Sequence, residues 1–184
     1  ISPQANTLYQ IGVGTNQEQS FKNEHIESII IDEAARLWAG TWVGLEMLDP
    51  KTGRSKLFNF SQADSDREVS QMVTDIYKRD DEPFWIGTLV FGLVRFNYAQ
   101  ETYQYYPIIR ADGSRYQNYT VNDIYQDELG DLWVACGDGL FHKKKDQDHL
   151  SLVQFSDPSL PKGAAFLTIE GNKNSIWLGS SLGL

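Results

Sequence analysis

Four segments of the sequence repeat one pattern: WAGTWVGL at 38–45, WIGTLVFGL at 85–93, WVACGDGL at 133–140 and WLGSSLGL at 177–184. Each segment begins with a tryptophan, continues with a small residue at the second or third position and ends in Gly-Leu. The second copy contains one extra residue. The spacing between tryptophans is roughly 47 residues, and a fixed period of this size indicates a chain built from repeated structural units.

The residues around each segment predict four short β-strands per repeat. A β-rich run precedes every tryptophan: IESI at 26–29, VTDI at 73–76, VNDI at 121–124 and FLTI at 166–169. A turn separates run and tryptophan, most clearly DELGD at 127–131, where Asp127 can hold its own backbone. After Gly-Leu come a third strand, a polar turn and a fourth strand rich in aromatic residues. Helical periodicity is absent, so we predict an all-β fold, a β-propeller of four-stranded antiparallel blades with about four blade equivalents.

The four repeated tryptophans are interpreted as structural. They are Trp38, Trp85, Trp133 and Trp177. A propeller blade buries its apolar faces only against neighbouring blades, and a large aromatic side chain at one register in every copy suits the wedge between two blades. Four copies at one register cannot all contact a ligand.

The chain is predicted to be a single propeller segment, 1–184. Its parts are the end of one blade at 1–21, blades at 25–60, 70–106 and 119–155, and the start of a further blade at 165–184. Two arrangements suit these partial blades: the first and last segments combine to close a ring, or the chain is a portion of a longer propeller. We expect the second, because four blades make an unusually small ring.

Composition limits the classes of function. The net charge of −9 argues against a nucleic-acid partner, and the one basic run, Lys143 to Lys145, is expected to be a solvated loop. No apolar run approaches the ~20 residues of a transmembrane helix. One cysteine, Cys136, excludes an internal disulfide or a multi-cysteine zinc site. No catalytic residues, metal ligands or cofactor are predicted, and the acidic groups at 64–66 and 80–82 are expected to face solvent rather than to form a glycosidase pair.

The composite motif resembles the two-component regulator propeller repeat. The similarity is clearest in IIIDEAARLWAGTWVGLEMLD at 29–49 and IYQDELGDLWVACGDGLFH at 124–142. Departures are Ala135 for the glycine after tryptophan, and Arg79 and Gly171 where the other copies have aspartate. The resemblance implies the periplasmic or extracytoplasmic sensory region of a bacterial hybrid two-component or diguanylate cyclase protein. Its expected partners are the remaining blades and an output module of the same polypeptide, and a homodimer is left open.

Ligand-binding residues are expected on the loops at one mouth of the propeller channel. These loops join the second and third strands of each blade, with Cys136 to Asp138 forming that loop in the third copy, or connect consecutive blades, at 61–70, 107–118 and 156–163. Trp42 is the one tryptophan outside the repeat register, and it offers a flat face for stacking. The predicted site comprises Trp42, Phe91, Asp138, Arg67, Arg110 and Arg115. The alternative interpretation is that Trp42 and Phe91 cap their own blades.

The function predicted from these features is non-catalytic sensing of a small molecule or saccharide, with control of a kinase or cyclase outside this chain. A propeller-fold polysaccharide lyase or hydrolase and a protein-docking scaffold are the alternatives. Asp75 and Asp123 occupy equivalent places on the predicted inner strands. We expect them to bond the backbone of a neighbouring turn rather than a ligand.

Overall fold

The computed structural model describes residues 21, 23–60, 71–109, 112–114, 119–155, 165–172 and 175–183. Within these ranges every regular element is a β-strand. The strands are β1 (Ile26–Ile31), β2 (Leu37–Thr41), β3 (Gly44–Asp49), β4 (Arg54–Phe58), β5 (Val73–Tyr77), β6 (Phe84–Thr88), β7 (Leu93–Asn97), β8 (Thr102–Tyr106), β9 (Ile108–Ile109), β10 (Val121–Gln126), β11 (Leu132–Cys136), β12 (Gly139–Lys143), β13 (Leu150–Leu152), β14 (Phe166–Gly171) and β15 (Ile176–Ser180). The described residues contain no helix long and apolar enough to cross a membrane.

The strands form antiparallel sheets that follow the predicted repeat. The first blade is β1-β2-β3-β4, the second is β5-β6-β7-β8, the third is β10-β11-β12-β13, and β14-β15 belong to the fourth. First strands of successive blades contact each other, β1 with β5, β5 with β10 and β10 with β14. These strands therefore form the inner edge of the arrangement. The all-β propeller prediction is confirmed.

One connector differs from the prediction. Residues 107–118 were assigned to a mouth loop, but β9 pairs in parallel with β13 and adds a fifth strand to the outer edge of the third blade. The amide of Leu150 also donates to the carbonyl of Pro107. The chain uses these backbone groups to cover an otherwise unpaired strand edge. The connectors 61–70 and 156–163 and the segment 1–20 lie outside the described residues.

The threonine and the glycine of the repeated motif stabilise the turn between the second and third strands. The hydroxyl of Thr41 donates to the carbonyl of Gly44 at 2.9 Å, and that of Thr88 donates to Gly92 at the same distance. These bonds close the turn between the second and third strands in the first and second blades. The glycine of Gly-Leu adopts positive φ, +139° at Gly44 and +73° at Gly92, which L-residues rarely adopt.

Apolar clusters join each blade to the next. Trp38 is fully buried, and its ring lies 4.4 Å from that of Phe84 in the second blade. Trp85 is 5% exposed and packs with residues of the third blade. Trp133 is half-buried beside the fourth blade, and Trp177 is 62% exposed. Burial of the repeated tryptophan thus falls from the first blade to the fourth.

Candidate functional site

Trp42 lies in the β2–β3 turn and is 49% exposed. Its ring stacks on that of His25, with centroids 4.0 Å apart and planes 13° from parallel. Its indole N–H donates to Oε1 of Glu27 at 2.6 Å. The stack and the hydrogen bond hold the indole in one orientation while half of its surface stays open to solvent. We call this trio, His25, Glu27 and Trp42, the mouth cluster.

The mouth cluster occupies a place that the other blades use for contact between blades. Each first strand carries a β-bulge, and the bulged residues are Glu27, Thr74, Asn122 and, in the fourth blade, Leu167. The side chains of Thr74 and Asn122 donate to carbonyls of the next blade's first strand, at 2.5 and 2.7 Å. An ionised Glu27 has no donor to offer such a carbonyl. Its carboxylate instead accepts from Trp42, so only the first of these three blades replaces the inter-blade bond with an aromatic platform.

Of the other predicted mouth residues, the two that the structure describes, Phe91 and Asp138, do not contact Trp42. Phe91 is half-buried, its ring lies 5.8 Å from that of Tyr105, and its backbone bridges to Tyr119. These contacts agree with Phe91 covering its own blade. Asp138 is exposed in the β11–β12 turn. Arg67, Arg110 and Arg115 lie outside the described residues.

Cys136 was assigned to a mouth loop, but it ends β11 and is fully buried. Burial raises the pKa of its thiol well above the ordinary value, so the reactive thiolate is suppressed. This buried position removes Cys136 from the candidate site.

The inner-strand aspartates connect blades. Asp75 accepts from the hydroxyl of Ser28 at 3.2 Å and from the amide of Ile124 at 3.0 Å. Asp123 accepts from the hydroxyl of Thr168 and the amide of Ile169 at 2.8 and 2.7 Å. The expected backbone bonds are present, but they reach the first strand of a neighbouring blade rather than a turn.

Burial and the nearby carboxylate of Asp123 raise the pKa of Asp75 to about 6. Burial disfavours the ionised form, and a like charge acts in the same direction. The hydrogen bonds from Ser28 and Ile124 oppose this rise without cancelling it. Asp75 therefore has a raised pKa while it bonds to the blades on both sides.

A second repeated contact was only partly predicted from sequence. The indole N–H of Trp38 donates to Asp32 at 2.9 Å, and that of Trp133 donates to Asp127 at 3.1 Å. Both aspartates also accept backbone amides of their own turn, which confirms the predicted role of Asp127. In the second blade Arg79 replaces the aspartate. It donates instead to the carbonyls of Gln126 and Asp127 in the third blade.

The chemistry of the mouth cluster suits binding rather than catalysis. An aromatic face stacks against apolar ring surfaces, and Glu27 supplies a carboxylate that accepts hydrogen bonds. Among the described residues, no group of three or more His, Cys, Asp and Glu side chains is placed to hold a metal ion. The arrangement fits recognition of a hydroxylated ring.

A family model described as the two-component regulator propeller matches residues 115–138. The match includes β10, the aspartate turn and β11, the part of the repeat that contains Asp127 and Trp133. One copy of the repeat in this chain, in the third blade, therefore matches the two-component regulator propeller model. The resemblance inferred from the sequence is thereby confirmed.

The chain is also similar to Histidine kinase P4 of Formosa agariphila, with 31% identity over 167 residues. The alignment covers 86% of this chain and 12% of the relative, so the chain spans about one eighth of the kinase that it matches.

Solved structures show the same fold. The extracellular domain of a protein assigned as a hybrid two-component system of B. thetaiotaomicron superposes with a TM-score of 0.71 at 20% identity. This alignment covers 90% of the chain and 21% of that domain. Virginiamycin B lyase from Staphylococcus aureus superposes with a TM-score of 0.60 at 15% identity, over 89% of this chain and 50% of the lyase. A propeller of this shape therefore occurs in both sensory proteins and enzymes.

Proposed function

We propose that this chain is a sensory propeller region of a bacterial signal-transduction protein. In this proposal it lies outside the cytoplasm, binds a small hydroxylated molecule or saccharide and regulates a histidine kinase module of the same polypeptide. The repeat and the 31% identity to a histidine kinase support the class of protein. The extracellular domains with the same fold support the location.

The observation that carries the binding proposal is the mouth cluster. An exposed tryptophan costs free energy at a surface, and isolated examples are ordinary. Trp42, however, is held in place by His25 and Glu27, at a turn position where the repeat requires no particular residue type. The aromatic platform and the carboxylate acceptor together suit the apolar face and the hydroxyl groups of one sugar ring.

Lyase activity is not the function proposed. The likeness to virginiamycin B lyase is at 15% identity and concerns the fold. The mouth cluster contains one carboxylate and one histidine, and Glu27 is already engaged by the indole N–H of Trp42. A general acid–base mechanism needs a group that is free to transfer a proton.

A matched pair of tryptophan variants tests the binding site. Neutral oligosaccharides, namely cello-, xylo- and manno-oligosaccharides, are screened by thermal shift against the parent, Trp42→Ala and Trp177→Ala. Trp177 is also exposed, at 62%, but lies outside the mouth cluster. We expect at least one oligosaccharide to raise the Tm of the parent and of Trp177→Ala but not that of Trp42→Ala.

An equal rise in all three proteins, or no rise with any oligosaccharide, contradicts the mouth site. For the regulatory part, the active oligosaccharide is added to the full-length polypeptide, and autophosphorylation is measured with and without Trp42→Ala. We expect the ligand to change the rate only when Trp42 is present.

A further inference from the structure

A cleft of about 730 Å³ lies between the second and third blades. The second blade contributes Trp85, Arg95 and Tyr106 to its lining, and the third contributes Gln126 and Lys143 among others. The lining includes residues of the β10–β11 and β12–β13 turns, which lie at the strand ends opposite the mouth loops. The volume is within the range of small-molecule sites, roughly 300–1,000 Å³.

The repeat predicts an apolar residue where this cleft has a lysine. The residue before each tryptophan pairs across the sheet with Leu48 in the first blade, Phe96 in the second and Lys143 in the third. Leu48 and Phe96 are each 1% exposed, and Lys143 is 4% exposed. Lys143 was expected in a solvated loop, but it ends β12 and occupies a core position of the repeat. A buried ammonium at this position destabilises the fold, whereas leucine or phenylalanine would stabilise it.

Lys143 has no acidic partner in the described part of the chain. Its ammonium donates to the carbonyls of Lys144 and Lys145 at 3.1 and 3.2 Å and lies 5.5 and 5.1 Å from the ring centroids of Trp85 and Tyr106. An ammonium has three donors, so one stays available. Burial, and then the positive charge of Arg95, lower the pKa of Lys143, and the charges of Asp131, Asp146 and Asp148 oppose this shift without cancelling it. An anion beside it would offset both effects.

Two further cations lie at positions that are uncharged at the preceding interface. Arg95 pairs across the sheet with Trp85, where the first blade has Met47 beside Trp38. Its guanidinium lies 5.5 Å from the centroid of the Trp85 ring. Lys145 follows Lys143 by two residues, as Tyr98 follows Phe96 in the second blade. Three cationic side chains thus converge on one cleft from positions that build an aromatic core elsewhere.

The cleft also contains two polar groups without partners in the described chain. The indole N–H of Trp85 has no acceptor, because Arg79 stands where Asp32 caps Trp38. The side-chain carbonyl Oε1 of Gln126, which is 5% exposed, has no donor. A buried acceptor without a partner destabilises the fold. The indole N–H of Trp85 can donate to an acceptor, and Oε1 of Gln126 can accept from a donor.

Acidic side chains surround the entrance. Glu82, Asp146 and Asp148 line the cleft, and each is exposed. Oδ1 of Asp148 lies 3.2 Å from Nδ1 of His149. Carboxylates at an entrance accept hydrogen bonds from hydroxyl groups and repel a ligand that carries several negative charges. The cleft therefore combines a cationic interior with acceptors at its edge.

We propose that this cleft is a second ligand site, separate from the mouth cluster, that binds a small molecule with one oxyanion group and several hydroxyls, of which a sugar acid is the simplest example. The oxyanion lies between Lys143 and Arg95 and accepts from the indole of Trp85. A hydroxyl of the ligand donates to Gln126. Guanidinium and ammonium groups recognise carboxylate and phosphate alike, so the kind of oxyanion is left to the experiment.

The test titrates the full chain with glucuronate, glucose 6-phosphate and glucose at constant ionic strength. Binding is followed by calorimetry and by the indole N–H resonances in ¹⁵N spectra, with the Trp85 resonance assigned from Trp85→Phe. We expect one anionic sugar to bind and to shift the resonance of Trp85 while those of Trp38 and Trp177 stay in place. Glucuronate identifies a carboxylate site and glucose 6-phosphate a phosphate site, and glucose is expected not to bind.

Two variants replace a cation of the cleft by methionine, which for Arg95 is the side chain of the first repeat, Met47. Lys143→Met and Arg95→Met are each expected to weaken binding of the anionic sugar by at least about tenfold. Lys56→Met, which removes an exposed lysine paired with Glu101, serves as the matched control and is expected to bind as the parent does. Arg95 is exposed, so Arg95→Met is expected to fold even if Lys143→Met does not.

Stability separates a ligand site from a structural lysine. If Lys143 serves a ligand, Lys143→Met has a urea midpoint equal to or above that of the parent. A lower midpoint together with unchanged affinity overturns the proposal, as does the absence of binding by both anionic sugars or equal binding of glucose. Loss of the glucuronate signal in Trp42→Ala, but not in Lys143→Met, would place the ligand at the mouth cluster and also overturn the second site.

Discussion

The interface between the first and second blades and the interface between the second and third blades share one backbone arrangement but differ in their side chains. Between the first and second blades, Trp38 is fully buried, bonded to Asp32 and enclosed by Phe84, Phe96 and Tyr98. Between the second and third blades, Trp85 is surrounded by Arg95, Lys143 and Lys145 and borders a cleft. Both interfaces contain buried apolar clusters, and a few side chains at corresponding positions decide whether the region beside the tryptophan is filled with aromatic rings or bears a cleft.

The difference also shows which features of the repeat are independent of the interface. The bulge in the first strand, the threonine bond across the turn and the glycine with positive φ occur in both blades. Gly40 and Gly87 each lie so close to the next blade that an added Cβ would be 2.8 and 2.7 Å from a valine methyl group. Backbone geometry and blade spacing are thus preserved, and variation is confined to the outer part of the interface.

The largest expected effect concerns the packed interface. Trp38→Ala removes a fully buried indole and is expected to lower the free energy of unfolding by about 3–5 kcal/mol. Trp177→Ala, at the same repeat position but 62% exposed, is expected to cost less than about 1 kcal/mol. Urea denaturation followed by circular dichroism measures both. Similar costs would show that the repeat position, rather than burial by the next blade, determines the contribution.

A smaller effect is expected at the turn position that is Asp32 in the first blade and Arg79 in the second. Asp32→Ala leaves the indole of Trp38 and the amides of Ala34 and Arg36 without their acceptor, and we expect a loss of about 2–3 kcal/mol. Arg79→Ala removes donors to two carbonyls of the third blade, and we expect a loss of about 1 kcal/mol. Equal losses in the same denaturation measurement would contradict a distinct role for the two turns.

The pH dependence of Asp32 gives a separate check on this bond. Burial alone would raise its pKa, but the hydrogen bonds from Trp38 and Arg36 and the charge of Arg36 outweigh burial and lower it. The stabilisation is present above the pKa of an unfolded aspartate, near 4, and is lost as the pH falls through the lower folded value. The parent is therefore expected to lose more stability than Asp32→Ala below pH 4.

The smallest effect is expected at the residue that both interfaces share. The pKa of Asp75 is about 6 in the folded chain, above that of an unfolded aspartate. The folded state binds the proton more tightly, so stability is expected to rise between pH 7.5 and pH 5, by on the order of 1 kcal/mol. Asp75→Asn is expected to remove this part of the pH dependence. A parent and a variant with identical pH profiles of urea midpoint would show that Asp75 does not titrate in this range.

Sequence reasoning succeeded where the role of a side chain depends only on the strand or turn in which it lies. The recurrence of Trp38 and its equivalents predicted the blades, and Asp127 predicted the turn that it stabilises. It was wrong for Cys136 and for Lys143, which it placed in loops. Whether a residue at the end of a strand is buried depends on the neighbouring blade, and that neighbour is roughly 47 residues away in sequence.

Alignment of the repeats could have revealed part of the cleft. Placing Lys143 against Phe96 and Leu48 shows a charge at a core position, which is a signal of function in any repeat protein. The convergence of Arg95 with Lys143 was not accessible in this way, because the two residues belong to different blades and meet only across their interface. The partnership of Trp42 with His25 and Glu27 was hidden for a different reason, because it joins a turn to the start of the first strand within one blade.

The sequence by itself determined the all-β class, the blade period and the turns, because alternation of apolar residues, glycines and turn aspartates are local properties of the chain. Only the tertiary structure decided which repeated tryptophan is buried, which lysine loses its solvent and which side chains form a cleft. Those outcomes depend on the blade that packs alongside, and a contact between blades depends on shape and distance rather than on the residue type at either position alone.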